Sequence, residues 1–305
     1  MHERPSLADI VPLDDAQLGG IVAENVSVAR QMLAEQGVCL LRNAATSIGG
    51  FHDAILGFGL PLAERYGDLP RFGERGIFRV TPYPAKEDLL FHNEASHTPT
   101  APRFIFFYCH QPAPEGGNTP FSDGARALAE LDDGIVDALH RRGLLYRRRF
   151  IPGLDVAWQD FFGTHSPEEV ERQCLEHGLA AEWDQDVLQT DFRTTAISRS
   201  CDGAYAMFHQ IALHHPAFLP EEVREYFETC DAQGRTPRDV LFGDGTPIPD
   251  AWARAIVTAQ LRAARSFIWR SGDILALNNR IFAHARARHR GPRENYVILG
   301  ELEAV

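Results

Sequence analysis

Phe91-His92-Asn93-Glu94-Ala95-Ser96-His97-Thr98-Pro99 places an imidazole and a carboxylate two residues apart. On a β-strand that spacing puts both side chains on one face. With 13 His and 42 Asp+Glu in 305 residues, about two His-x-Asp/Glu pairs are expected by chance, so the pair alone is weak. The chain contains this one. It becomes chemistry only if other segments supply a third ligand, a pocket and an anchor for a co-substrate.

The flanking residues set the fold class. Directly after the pair, Arg103-Phe104-Ile105-Phe106-Phe107-Tyr108-Cys109 reads as a strand covered on both faces. Gln111 to Gly117 is a loop by composition, Thr119-Pro120-Phe121-Ser122 a brief strand, and Asp123 a helix N-cap for 125–131. Upstream, apolar spacing predicts a helix over 21–36 ending at Gly37, and Val38-Cys39-Leu40-Leu41 a buried strand. A second helix follows near 48–58. Next come a turn-rich stretch through Pro61, Gly67, Pro70, Gly73 and Gly76, and a short strand over 77–80.

The middle of the chain reads as more helical. Ser166-Pro167-Glu168-Glu169 is a capping box, and Gly178 ends its helix. Cys201-Asp202-Gly203 suggests a hairpin turn between 194–200 and 204–210. Helices are expected at 220–230 and 250–265, the latter with Asp250 as N-cap. The last fifty residues return to short strands at 267–270, 274–279, 281–286 and 296–299. Strands at both ends with helices between predict one mainly β domain over 1–305, carrying a helical insertion or lid at about 124–265.

Composition narrows the functional classes. A net charge of −12 opposes nucleic-acid binding, which depends on excess Lys and Arg. No apolar run is long enough for a membrane span, and the N-terminus from Met1 to Pro5 lacks the pattern of a signal peptide. Five scattered cysteines without Cys-x-x-Cys spacing argue against a disulfide framework or structural zinc, and fit a cytoplasmic protein. Lys86 is the one lysine, a bias that reflects composition more than chemistry.

A mononuclear non-haem iron site needs two imidazoles and a carboxylate on one side of the metal. His92 and Glu94 can supply two. His284, near the end of a C-terminal strand, is the candidate third ligand, and His214-His215 the competitor. The segment from His284 to Arg293 holds four Arg, either a solvated loop or an anchor for a diacid's far carboxylate. Asn93, His97, Arg79 and His209 are candidates to face substrate. A zinc hydrolase using His92 and His97 lacks the His-Glu-x-x-His spacing. A nucleobase deaminase would need a following Pro-Cys-x-x-Cys. A non-catalytic jelly-roll binding module stays open.

Taken together, His92-x-Glu94, Thr119 in Glu115-Gly116-Gly117-Asn118-Thr119, Gly272-Asp273, Asn278-Asn279, His284 and Gly291-Pro292-Arg293 resemble one family over about residues 20 to 300. It is the Fe(II)/2-oxoglutarate-dependent dioxygenases of the taurine dioxygenase and clavaminate synthase group, most nearly the syringomycin-biosynthesis-type amino-acid hydroxylases. The resemblance implies a double-stranded β-helix, or jelly roll, with helical insertions. It implies Fe(II) held by His92, Glu94 and His284, and 2-oxoglutarate held by Thr119 and Arg293, with Arg288 or Arg290 as alternatives to Arg293. O2 and 2-oxoglutarate would be consumed and succinate formed as an unactivated C–H bond is oxidised. Glu94 disfavours halogenation, since halogenating relatives leave the carboxylate position empty. The implied substrate is an amino acid or derivative, free or presented by a carrier protein, in antibiotic or other specialised biosynthesis. Hydroxylation is the default outcome, with desaturation or cyclisation as alternatives from the same chemistry.

Overall fold

The strand Thr100–Gln111 is the axis of the architecture. Its side chains alternate between two apolar environments, which explains an aromatic run with no polar alternation. Ile105, Phe107 and Cys109 enter one core cluster, whereas Phe104, Phe106 and Tyr108 enter another. The computed structural model describes residues 5–64, 70–73, 75–80, 82–199, 203–230 and 236–305. Met1–Arg4, Gly67 and the Cys201-Asp202 turn lie outside the described residues.

This strand sits inside a six-stranded sheet ordered Val22–Ala23, Val38–Leu41, Ile274–Asn278, Thr100–Gln111, Glu294–Ala304, Ile77–Arg79. A second, four-stranded sheet runs Ala264–Arg265, Phe121–Asp123, Phe282–Arg286, Leu89–His92. The two share one core, in which Ile105, Phe107, Leu275, Leu277 and Val297 of the larger sheet meet Phe121 and Phe282 of the smaller. Behind the larger sheet, helices Val26–Gln36 and Ile48–Leu56 contribute Ala29, Leu33, Phe51 and Ile55 to the second cluster. Asn25 and Ser47 cap them by accepting the amide N–H of Val28 and Gly50. Gly37 ends the first helix at φ 73, and a Cβ there would lie 3.1 Å from Phe282. Cys39, Cys109 and Cys174 are buried free thiols.

The segment 124–265 differs from the helical insertion expected. It contains helices Gly124–Ala129, Asp133–Arg142, Pro167–Glu176, Glu221–Cys230 and Asp250–Arg262, but also a four-stranded antiparallel sheet. That sheet is ordered Arg238–Phe242, Leu144–Arg149, Val187–Thr194, Ala180–Asp184. Leu144-Leu145-Tyr146-Arg147-Arg148-Arg149 shows no period of two, and its polar half is stabilised across the ladder. Arg147 lies opposite Asp191 and makes a two-pronged ion pair with it at 2.8 and 2.7 Å.

Smaller corrections have local causes. The helix expected from residue 21 begins at Val26, because Val22–Ala23 pairs with Leu40–Leu41 as a parallel edge. Asp250 is the first helical residue, and Pro249 occupies the cap. Residues 267–270 form no strand; Phe267 makes a single bridge to Leu13. Asp123 is the cap expected, its Oδ1 accepting from Ala125 and Arg126 N–H. The Ser166 cap and Pro167 open their helix as read. Among the described residues no helix is long and apolar enough to cross a membrane.

Candidate metal centre

Antiparallel pairing of Leu89–His92 with Phe282–Arg286 puts His92 opposite His284. Their rings lie 4.2 Å apart, and Phe107 packs 4.9 Å from the His284 ring. Glu94 joins them by a different device, because the strand ends at His92. Asn279 grips the next residues: its Oδ1 accepts the Glu94 N–H at 2.7 Å and its Nδ2 donates to the Glu94 carbonyl at 2.9 Å. The same amide also donates to the Pro102 carbonyl. Ala95 then turns the chain at φ 59. The carboxylate shares a face with His92 through this clamp rather than through strand pleating.

His92, Glu94 and His284 each offer a donor atom within 4.8 Å of the others, and all three residues are buried. His284 Nε2 is 3.8 Å from Glu94 Oε2. His92 Nδ1 donates to the Leu90 carbonyl at 2.8 Å, which leaves the Nε2 lone pair available. Burial pushes His92 down to about 4 and His284 well below the usual imidazole range, with their mutual repulsion adding to the shift at His284. Both imidazoles are therefore neutral near pH 7, as metal ligation requires. Two neutral imidazoles and one carboxylate suit a divalent iron with open positions. The donor set fits that metal.

The cavity beside these residues, about 40 Å³, is also lined by Leu89, Phe107, Thr119, Arg286, Arg293 and Val297. Thr119 Oγ1 accepts from Trp269 Nε1 at 3.0 Å and from Arg293 Nη2 at 3.4 Å. With both lone pairs used, its hydroxyl proton is free to donate to an anion. Arg293 Nε donates to the Gly117 carbonyl at 2.9 Å. Gly117 has φ +72, and a Cβ there would come within 3.0 Å of the Arg293 side chain. The Glu115 to Thr119 stretch thus serves to let its backbone approach this guanidinium. Burial lowers Arg293 to about 10, still charged at pH 7.

Arg288 and Arg290 do not reach this cavity. Arg288 hydrogen-bonds Ser6 and Asp88, and Arg290 pairs with Glu115 at the surface. His214 and His215 are engaged elsewhere, His214 with Gln210 and His215 with the Ile248 carbonyl. His97 is outside the metal-binding group and lines a second, larger cavity. Asn93 is a brace: its Nδ2 donates to the Asn279 carbonyl and its Oδ1 accepts the His209 N–H. His209 is fully buried and lines neither cavity. Arg79 stacks on Phe72 and lines a neighbouring cleft shared with Arg286 and Arg293. Gly272-Asp273 is a structural turn whose carboxylate accepts the Asn43 and Arg270 amides.

Three residues at the site had a weak sequence signal or none. Asn279 was visible as part of Asn278-Asn279, without a role. Arg286, two residues after His284, lines the cavity and donates to the Pro84 and Glu87 carbonyls. Trp269 gave no signal, because its partner Thr119 is distant in the chain.

Two curated relatives and a solved structure bear on this geometry. The chain is 31% identical over 227 residues to the dapdiamide synthesis protein DdaC of Enterobacter agglomerans, covering 74% of this chain and 69% of that one. It is 25% identical over 275 residues to a clavaminate synthase-like protein of Arabidopsis thaliana, covering 86% and 81%. An asparagine oxygenase solved with Fe(II), 3-hydroxyasparagine and succinate has a similar fold at TM-score 0.51 and 14% identity, over 90% of this chain and 77% of that one. The family described as "Taurine catabolism dioxygenase TauD, TfdA family" matches residues 8–299. The chain therefore belongs to the TauD/TfdA family of oxygenases, which use Fe(II), 2-oxoglutarate and O2.

Proposed function

We infer that the protein hydroxylates an unactivated C–H bond of an amino acid or amino-acid derivative, free or carrier-bound, in specialised biosynthesis. The observation that carries the reading is the buried His92–Glu94–His284 group sharing one cavity with Thr119 and Arg293. In this reading the first three hold Fe(II) and the last two hold the distal carboxylate of 2-oxoglutarate. The two sheets around the shared core are the faces of a double-stranded β-helix, and the protein works in the cytoplasm. The likeness to DdaC, a dapdiamide synthesis protein, and to the asparagine oxygenase with its hydroxylated product supports an amino-acid-derived substrate.

When bound, iron and 2-oxoglutarate supply the oxidising power, with O2 consumed and succinate and CO2 released. The residues supply position. His92 is held in one tautomer by Leu90, and Glu94 is fixed by the two bonds from Asn279. Thr119 donates its hydroxyl proton while Arg293 supplies the matching charge. Leu89, Phe107 and Val297 keep water from the same space.

Anaerobic protein loaded with Fe(II) and titrated with 2-oxoglutarate should develop a visible metal-to-ligand absorption band, and His284→Ala should abolish it. Absence of the band in the native chain sinks the reading. A mass-spectrometric screen of free and carrier-bound amino acids should then find a gain of one oxygen; a loss of two hydrogens would establish desaturation or cyclisation instead.

A further inference from the structure

The cavity holding the metal group measures about 40 Å³, whereas a second one, lined in part by the same loop, measures about 300 Å³. The second is at the lower end of the range for drug-sized ligands. Its walls are Phe150, Phe161, Phe162, Leu179 and Phe192 from the inserted segment, closed on the other side by His97. The loop after His92 faces both spaces: Glu94 lines the small cavity, while His97, Thr98 and Pro99 line the large one. The wall and the metal loop are also tied directly. Tyr146 Oη accepts the Gln210 N–H at 2.7 Å, and Gln210 Nε2 donates to the Asn93 carbonyl at 3.0 Å.

Two of the three arginines in this cavity's lining are already paired, and the third, Arg238, is exposed. Arg147 and Arg148, both in its lining, take carboxylate forks from Asp191 and Asp155. A ligand carboxylate at Arg147 or Arg148 would have to displace one of those partners, and a ligand cation would meet guanidinium groups in a mainly apolar space. Burial drives His214, also in the lining, well below the usual imidazole range, so it adds no charge near pH 7.

We propose that this second cavity receives the part of the substrate away from the oxidised carbon, and that this part is an uncharged, mainly apolar group reaching the size of a phenyl or branched alkyl chain. The proposal rests on the metal reading above and names the substrate class for the same site. The substrate is then an aromatic or branched-apolar amino acid, or an amino acid bearing such a substituent, with the reacting carbon on the Glu94 side of the loop.

The test titrates Fe(II)- and 2-oxoglutarate-loaded protein, without oxygen, with L-phenylalanine, L-leucine and L-methionine against L-asparagine, L-glutamate and L-arginine, each free and as its pantetheine thioester. An apolar member should bind at least tenfold more tightly than the polar and charged members. Thr190→Phe, which narrows the cavity from the inserted sheet, should weaken that binding at least tenfold while the 2-oxoglutarate band and its titration midpoint stay as in the parent. Phe161→Ala, at an exposed rim position, provides a second variant with little risk to folding and should weaken the largest apolar ligand severalfold. Equal or tighter binding of the polar or charged members, no binding by any apolar member, or apolar binding unmoved by either variant overturns the inference. Loss of the band in the parent protein overturns the metal reading instead, so the two failures are distinguishable.

Discussion

The two cavities to which the loop after His92 contributes are built on opposite plans. The small one is lined by strand residues and their immediate neighbours, and most of its polar groups have a stated partner: Asn279 on Glu94, Leu90 on His92, Trp269 and Gly117 around Thr119 and Arg293. The large one is walled by side chains of the inserted sheet and its helices, mostly carbon, with two of its three arginines paired in place. Positioning to fractions of an ångström belongs to a site whose chemistry is fixed by iron and a constant co-substrate. A wall of aromatic rings tolerates change, and its shape selects what enters.

The comparison breaks most sharply at His284. His284→Ala should remove the absorption band and reduce turnover to background, with a modest loss of thermal stability because the buried ring packs on Phe107. Arg293→Ala comes next: losing a buried charge-assisted contact costs about 3 kcal/mol, roughly a hundredfold in 2-oxoglutarate affinity by titration of the band. Asn279→Ala should weaken Fe(II) binding roughly tenfold or more, as removing partners of metal ligands does. It should also lower unfolding free energy by about 1–3 kcal/mol, because Glu94 N–H and two carbonyls lose their partner. Trp269→Phe has the smallest expected effect, about 1 kcal/mol, or roughly fivefold in KM for 2-oxoglutarate with kcat unchanged. If any of these four changes apolar-ligand preference in the large cavity, the division between the two regions is wrong.

The molecule was unevenly legible. Capping signals at Asp123, Ser166 and Gly37 were readable because a cap is settled by a few adjacent residues. The doubly covered strand around Phe104–Cys109 was readable from its unbroken apolar run. Leu144–Arg149 was not, since its three arginines are tolerable in a strand only once Asp191 and Asp155 arrive from elsewhere. Trp269 was hidden in the same way. His97 was a candidate to face substrate, and beyond the turn at Ala95 it lines the larger cavity rather than the metal group's.

The sequence by itself determined the available chemistry: one His-x-Glu pair, a distant His284, and an arginine-rich tail after it, in an acidic chain. Tertiary structure decided which of these meet. Ligand geometry depends on strand register and on a clamp from Asn279, and both are long-range pairings that no local pattern encodes. The choice of Arg293 over Arg288 and Arg290 follows the same logic. All three share one segment, and only the backbone course past Gly117 gives Arg293 a buried place beside Thr119.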